Sequence, residues 1–359
     1  MPSSIHLATD EFRLLTYKHP QLTQRGIQPR YLQKFCPLDN DQLRTDSMKI
    51  PASISNIGSL EALPLEVLQS ILSLLDLQCL TDFRAVSWRS RALVDSVPEY
   101  NALVQHCPDA LRAFLSTGMA VDFSASKIFE ALCTRDCIGC GLFGPLLDLF
   151  TAHRCCIGCL MSRDDLLTME ASDASKEFSL DLETMHKVPN LLTIPEYNRD
   201  GMIVQERLSL VRVLSVSVAQ SQHDFRSVHN TPPLPPTGAP PQPSQPHSLP
   251  VSHQLQQRHE GKQHLYRSLS MLRIPFLERR TGDLDWGVSC EACRLGPKNG
   301  GHGYYDSKNL YTTSGYIDHF QKCELSQKAR AEISKCFHLG KRDHEVWSML
   351  VDFFSNFNY

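Results

Sequence analysis

The tetrapeptide Cys-Ile-Gly-Cys occurs twice in this chain, at residues 137–140 and 156–159, with fifteen residues between the copies. Paired thiols at this spacing could serve a metal, a disulfide, a redox site or a buried structural repeat. A CxxC turn brings two thiolates to one point, and Gly139 and Gly158 suit a tight backbone there. Two such turns can close a tetrahedral four-thiolate shell around zinc, with zinc–sulfur distances of ~2.3 Å. Two CxxC pairs separated in this way follow zinc-ribbon-like spacing. A thioredoxin-like redox motif would appear once, on a βαβ background, and buried free cysteine is the plain alternative. Four protein ligands leave no open position for water, so the reading is a structural zinc on Cys137, Cys140, Cys156 and Cys159. Cys155 is the spare thiol, since it would make a longer CxxxC turn, and Cys133 is another substitute. His153 and Arg154 are near enough in sequence to offset the charge of the thiolates.

A looser second set follows. Cys290 and Cys293 form another CxxC, and His319 and Cys323 lie twenty-five residues beyond it. A helix starting near Ile317 would place His319 and Cys323 at i and i+4, on one face, which suits a Cys3His zinc site. The gap contains Gly300, Gly301 and Gly303, and His302 competes as a ligand. Two unrelated pairs are the alternative. The two sets together predict two structural zinc ions.

These side chains need elements to position them. Of 359 residues, 42 % are apolar and 21 % charged, as in an ordinary globular protein, and at roughly 150 residues per domain the length suggests two domains. A net charge of −3 provides no chain-wide basic field for nucleic acid. The first twenty residues lack a basic run followed by an apolar core, and apolar stretches are too short to span a bilayer. The expectation is a protein inside the cell, in the cytoplasm or nucleus, without membrane contact. There a reducing environment favours thiolate–metal or free-thiol roles for the thirteen cysteines.

Five segments are expected. Residues 1–55 form a polar, partly disordered arm with one or two helical turns. A compact helical module occupies 57–100, and a helical, Cys-rich region 101–220. Residues 209–219, SLVRVLSVSVA, alternate and are rich in Val, which predicts a strand. Nine prolines between Pro232 and Pro250 mark a disordered linker over 221–260, rich in Pro, Gln and His. Residues 261–359 form a C-terminal Cys/His segment, with short strands at IPFLERR and LDWGVSC. Helices are expected over 323–337 and 343–355, punctuated by Gly340.

The helical module opens at Leu63 with Pro64 in the first turn, where its missing N–H costs nothing, and with Glu66 near the positive end of the helix dipole. Leu68, Ile71, Leu72 and Leu75 recur at i, i+3, i+4 and i+7. A second helix carries Leu80, Phe83 and Val86, and Ser87 caps a third. Three short helices are marginal alone, so their apolar faces must dock on the rest of the chain or on a partner.

The order of these residues, LPxEVLxxILxxLD followed by RAVSxxxRALV, resembles the F-box, by which substrate receptors attach to the Skp-type adaptor of cullin–RING ubiquitin ligases. By that resemblance Leu63, Pro64, Leu65, Leu68, Ile71, Leu72, Leu80, Phe83 and Val86 face the adaptor. F-boxes commonly have tryptophan four residues after the valine matched by Val86; here Ser90 stands there and the tryptophan is Trp88. The stretches PDALRAFLSTGMA, ALCTRDCIGCGLFGPLLDLFTAHRCCIGCL and YTTSGYIDHFQKCELSQ resemble a group of filamentous-fungal F-box proteins with a Cys-rich region after the F-box. The fold implied is mainly α with small β parts: a three-helix F-box, a zinc-stapled body, the disordered linker and a zinc-finger-like C-terminal segment.

The function so implied is a non-catalytic substrate receptor of a cullin–RING (SCF-type) ubiquitin ligase. Its partners would be a Skp-type adaptor, a cullin reached through it, and a protein substrate the sequence does not name. The competing reading is a zinc-dependent nucleic-acid-binding or regulatory protein, in which basic residues between Lys262 and Arg342 combine with Tyr304, Tyr305, Tyr311 and Tyr316 as a stacking groove. No finger helix with contact spacing supports it. A hydrolase is the weakest reading, since GxSxG, HExxH, P-loop and dinucleotide motifs are all absent.

Overall fold

A computed structural model describes residues 7–18, 26–36, 38, 56–197, 203–204, 206–229, 265–296 and 309–355. The chain is mainly helical with small sheets, as expected. The three-helix module comprises Leu65–Ser73, Leu77–Val86 and Trp88–Asp95. Its starts are fixed locally. Pro64 precedes the first helix; the Asp76 carboxylate accepts from the Cys79 N–H at 2.8 Å, and the Ser87 hydroxyl accepts from the Ser90 N–H at 3.0 Å. Such caps contribute about 1 kcal/mol each. Arg84, with its side chain only 2 % exposed, grips Asp95 through two bonds at 2.7 and 3.2 Å and locks the second helix to the third.

The module does not stand alone. Its inner face merges with the helices Pro98–His106, Pro108–Thr117 and Ala125–Cys133 in one core that includes Leu77, Leu93, Leu103, Leu111, Phe114 and Ile128. The Leu77 N–H donates to the Phe123 carbonyl at 2.8 Å, so the second module helix begins where this later layer starts. That sharing answers the marginal size of three short helices.

Two small sheets build the Cys-rich body. In one, Leu146–Asp148 lies between His153–Cys155 and Met271–Arg273, with both pairings antiparallel. In the other, Ser209–Arg212 lies between Thr168–Glu170 and Asn190–Leu192. Arg212 and Asp148, both buried, form an ion pair that ties the sheets together, and Arg212 also donates to the Thr168 hydroxyl at 2.7 Å. The strand expected over 209–219 therefore stops at Arg212, and a helix, Val213–His229, takes over. Val213 and Val216 are buried while Leu214 and Val218 are exposed, a spacing that fits a helix as well as a strand in so short a window.

Three expected boundaries shift. The helix to His229 occupies the start of the expected linker, and the rest of that linker falls outside the described residues, as do Gly300, Gly301, His302 and Gly303. The break at residue 261 does not follow the packing: Leu269, Leu272, Ile274 and Leu277 join the main core, and Met271–Arg273 completes the first sheet. The arm, expected to be polar and partly disordered over 1–55, is docked where it is described. Helix Thr9–Leu15 buries Leu14 and Leu15 in the C-terminal core, Thr16–Tyr17 pairs with Ser289–Cys290, and Ile27 and Leu32 enter the main core. Leucines scattered among polar residues fill cores built by distant segments, a signal that periodicity does not carry. The short strands Phe276–Leu277 and Leu284–Asp285 form a hairpin, and the helices Glu324–His338 and Asp343–Ser355 lie where they were expected.

Candidate metal centres and docking face

The first thiol pair sits on a turn pinned at both ends. The Cys137 N–H donates to the Leu142 carbonyl at 2.6 Å, the Gly141 N–H to the Cys137 carbonyl at 2.9 Å, and the Ile138 N–H to the Arg154 carbonyl at 3.0 Å. Gly139 has no room for a side chain, since a Cβ there would lie 2.8 Å from the Cys159 sulfur and against Arg163. Gly158 is under no such demand; a Cβ would meet only the Cys156 sulfur, at 3.8 Å. The second pair is offered by a helix start: Cys156 precedes Ile157–Ser162 and its sulfur accepts from the Cys159 N–H at 3.3 Å. Backbone N–H groups at a helix N-terminus favour a thiolate.

The four sulfurs of Cys137, Cys140, Cys156 and Cys159 lie within 4.8 Å of one another, and Cys140 Sγ is 3.5 Å from Cys156 Sγ. All thirteen cysteines are free. A tetrahedral zinc with ~2.3 Å bonds sets its sulfurs ~3.8 Å apart, whereas a disulfide would need ~2.05 Å. The donor set and its spacing fit zinc. Proton sharing shows how tightly the sulfurs crowd: hydrogen bonds from Cys155 and then Cys156 hold the Cys137 thiol far below its ordinary value, and those two are pushed up. A metal would replace these shared protons. Cys155 is buried beside the group, its thiol donating to the Cys156 carbonyl at 3.2 Å, and the four-sulfur cluster takes Cys156 rather than Cys155. Cys133 ends the helix Ala125–Cys133 and packs against the main core.

Arg154 does not face the thiolates. It is 2 % exposed and donates to the carbonyls of Ala131 at 2.6 Å, Gly144 at 2.7 Å, Leu132 at 3.1 Å and Pro275. It staples a helix end, the knuckle and the returning strand together. Burial pulls its guanidinium down to about 10, so it stays charged at neutral pH. Arg154→Met should leave these carbonyls without their donor and cost about 3–5 kcal/mol, read as a lowered urea midpoint; an unchanged midpoint would contradict the staple. The cation beside the thiolates is Arg163, which packs against Gly139 and holds Asp165 through a bond at 2.8 Å. Sequence reasoning missed it.

In the second group, Cys290, Cys293, His319 and Cys323 place their ligand atoms within 4.8 Å of one another. Cys293 Sγ lies 3.5 Å from both His319 Nε2 and Cys323 Sγ. Cys290 caps the helix Glu291–Leu295 as Cys156 caps its own, accepting from the Cys293 N–H at 3.4 Å. The single helix expected to carry His319 and Cys323 ends at Lys322, and Cys323 is the joint that caps the next helix, its sulfur accepting from the Ser326 N–H at 3.4 Å. Burial lowers the His319 imidazole, but hydrogen bonds to the Cys290 and Cys323 sulfurs outweigh it and raise the ring to about 9. Tyr311 stacks on His319 with centroids 4.4 Å apart, and the fully buried Tyr316 donates to the Leu15 carbonyl at 3.0 Å. These two tyrosines serve the second centre rather than a stacking groove; Tyr304 and Tyr305 lie outside the described residues.

The N-terminal segment buttresses this centre. Thr16 pairs with Cys290, and Glu11 meets Arg330 in two bonds at 3.0 and 3.1 Å. Deleting residues 1–18 should weaken zinc at the second centre by roughly 10–100-fold, the usual effect of losing outer-shell support. Competition with a chromophoric chelator reads this, and unchanged affinity would contradict the buttress. Metal analysis of the intact chain should give two zinc ions; a value near one would remove the second centre first.

The module's outer face separates residues that the sequence pooled. Leu68 and Leu72 are each 5 % exposed and Leu80 is 0 % exposed, so these three are buried in the core of the free chain. Phe83 is half-buried. Leu63, Pro64, Leu65, Ile71 and Val86 are exposed, and Val67, Leu74 and Trp88 join them, with Leu74 at 84 % and Val86 at 73 %. Val67, Ile71 and Leu74 are spaced i, i+4, i+7, a second apolar stripe beside the inward one at Leu68, Leu72 and Leu75. Ser90, where a tryptophan was expected, is fully buried and bonded to Ser87, while Trp88 lies outside beneath the Arg91 guanidinium at 5.5 Å.

No curated protein and no solved structure matches the chain. Residues 60–101, the segment that carries this face, match the family model of the F-box domain.

Proposed function

We propose that the chain is the substrate-receptor subunit of a cullin–RING ubiquitin ligase of the SCF type. F-box domains bind Skp-type adaptors in general. The observation that carries the reading here is the cluster of large apolar side chains, Leu63, Leu65, Val67, Ile71, Leu74, Val86 and Trp88, left in water on the matched segment. So much exposed apolar surface on one small module marks a protein-binding site. The adaptor covers it, and through the adaptor the receptor reaches the cullin.

The remainder of the chain presents a protein substrate, and catalysis is proximity supplied by the partner enzymes. Both metal groups have four protein ligands, which leaves zinc a structural part in holding that presenting surface. Among the described residues no helix is long and apolar enough to cross a membrane. We place the complex in the cytoplasm or nucleus, where such ligases act. Co-expression of the zinc-loaded chain with a Skp-type adaptor tests the reading: the two should co-purify at equal stoichiometry through size-exclusion chromatography. A folded chain that elutes apart from the adaptor would overturn it.

A further inference from the structure

The two metal groups differ in what water and oxidants can reach. In the first, Cys140 is exposed and Cys156 half-buried. In the second no sulfur is exposed: Cys290 and Cys293 are buried and Cys323 is half-buried, and the fourth ligand is an imidazole that cannot join a disulfide. The exposed sulfur of the first group lies 3.5 Å from that of Cys156, so closing a bond needs a shift of roughly 1.5 Å to reach disulfide length. The two sulfurs sit on separate turns, and each turn is held by its own backbone bonds, Gly141 N–H to the Cys137 carbonyl and Leu160 N–H to the Cys156 carbonyl, both at 2.9 Å.

We infer that the first centre is a redox-sensitive zinc switch, in which a peroxide joins Cys140 to Cys156 and ejects the metal while the second centre keeps its own. This rests on the zinc reading of the first centre. The Cys140 thiolate attacks one peroxide oxygen; the O–O bond breaks and hydroxide leaves, taking a proton to become water. The Cys156 thiolate then displaces the remaining hydroxyl from the Cys140 sulfur, forming the S–S bond and a second water. The two sulfurs lose two electrons and the peroxide gains them. Cys137 and Cys159 take up one proton each as zinc departs, so four protons are consumed in all.

The opening is local. With zinc gone, the packing of Gly139 against Cys159 and Arg163 loses its clamp, and the two turns that carry the sulfurs loosen. The sulfurs sit in a small separate cluster with Leu146, Leu160, Leu166 and Met271, while Leu147, Leu149 and Phe150 between the turns stay anchored in the core of Leu68, Leu72 and Leu80, so the F-box face keeps its place. Peroxide thus alters the surface offered to substrate and leaves the adaptor bound.

The test is a hydrogen peroxide titration of the full zinc-loaded chain, with zinc release followed by a chromophoric indicator, disulfides mapped by peptide mass spectrometry and adaptor recovery measured alongside. The expected result is loss of one of two zinc ions, a Cys140–Cys156 disulfide, retention of the second zinc and unchanged adaptor recovery. Cys155→Ser should behave like wild type, since Cys155 has no part in the step. Simultaneous loss of both ions, earlier loss from the second centre, a disulfide at another pair, resistance of Cys155→Ser or loss of adaptor binding would each overturn the inference. A chain with no zinc at the first centre before peroxide is added would remove the zinc reading and the inference together, whereas zinc that resists peroxide removes the inference alone.

Discussion

Cys140→Ser should cost the chain one of its two zinc ions and open residues 137–163 to protease. Structural zinc contributes ~10–16 kcal/mol in small finger peptides, comparable to or greater than the whole net stability of a typical domain. The apolar support of the sulfurs is small: Ile138 and Leu142 point outward, and beneath the sulfurs lie Leu146, Leu160, Leu166 and Met271, with Ile157 and Met161 at the edge. Cys140 is the sharpest position because the spare thiol, Cys155, lies on the strand His153–Cys155 and its sulfur neighbours Cys137 rather than Cys140. Cys156→Ser should be as severe. Cys155→Ser should be mild, about 1 kcal/mol, the usual cost of a modest core change. Limited proteolysis, thermal melting and zinc content read all three variants. A Cys140→Ser chain with two zinc ions and the wild-type melt would show that the knuckle is not a metal site.

Leu65→Asp combined with Ile71→Asp should weaken adaptor binding by at least ~100-fold and leave the fold intact. Each truncated anchor in an interface centre costs about 2 kcal/mol, and a carboxylate forced against the partner's apolar surface adds a desolvation cost. Both side chains are exposed in the free chain, so the fold loses nothing by the change. Leu68→Asp should behave oppositely. Its side chain is buried against the main core, and an unpaired carboxylate there would unfold the module. Titration calorimetry with circular dichroism separates the two outcomes. Wild-type affinity in the folded double variant would place the adaptor elsewhere.

The two metal groups were legible because ligand chemistry is local: a CxxC turn or a helix start needs only a few residues, and Cys156 and Cys290 each combine the two. The cap at Ser87 and the helix end near His338 follow from local rules of the same kind. The docking face was legible only as a set. Periodicity placed Ile71 with Leu68 and Leu72, yet on a helix with a wide apolar arc one stripe turns inward and the next outward, and only the packing partner decides between them. Arg154 and Arg163 exchanged roles for a similar reason. Arg154 lies on a strand beside the knuckle and points into a ring of carbonyls contributed by residues as distant as Pro275, which no spacing rule reveals. The docked N-terminal segment and the strand Met271–Arg273 were hidden because their partners lie more than a hundred residues away.

The central claim is that the chain docks an adaptor through the outer face of residues 60–101. Amide hydrogen exchange of the zinc-loaded full chain, alone and with a Skp-type adaptor, tests it most directly. The account predicts new protection concentrated at residues 63–88, across the helices that carry Leu65, Ile71, Leu74 and Val86, with both cysteine clusters unchanged. Protection centred on either cluster, or no protection at 63–88 in a complex that forms, would contradict it.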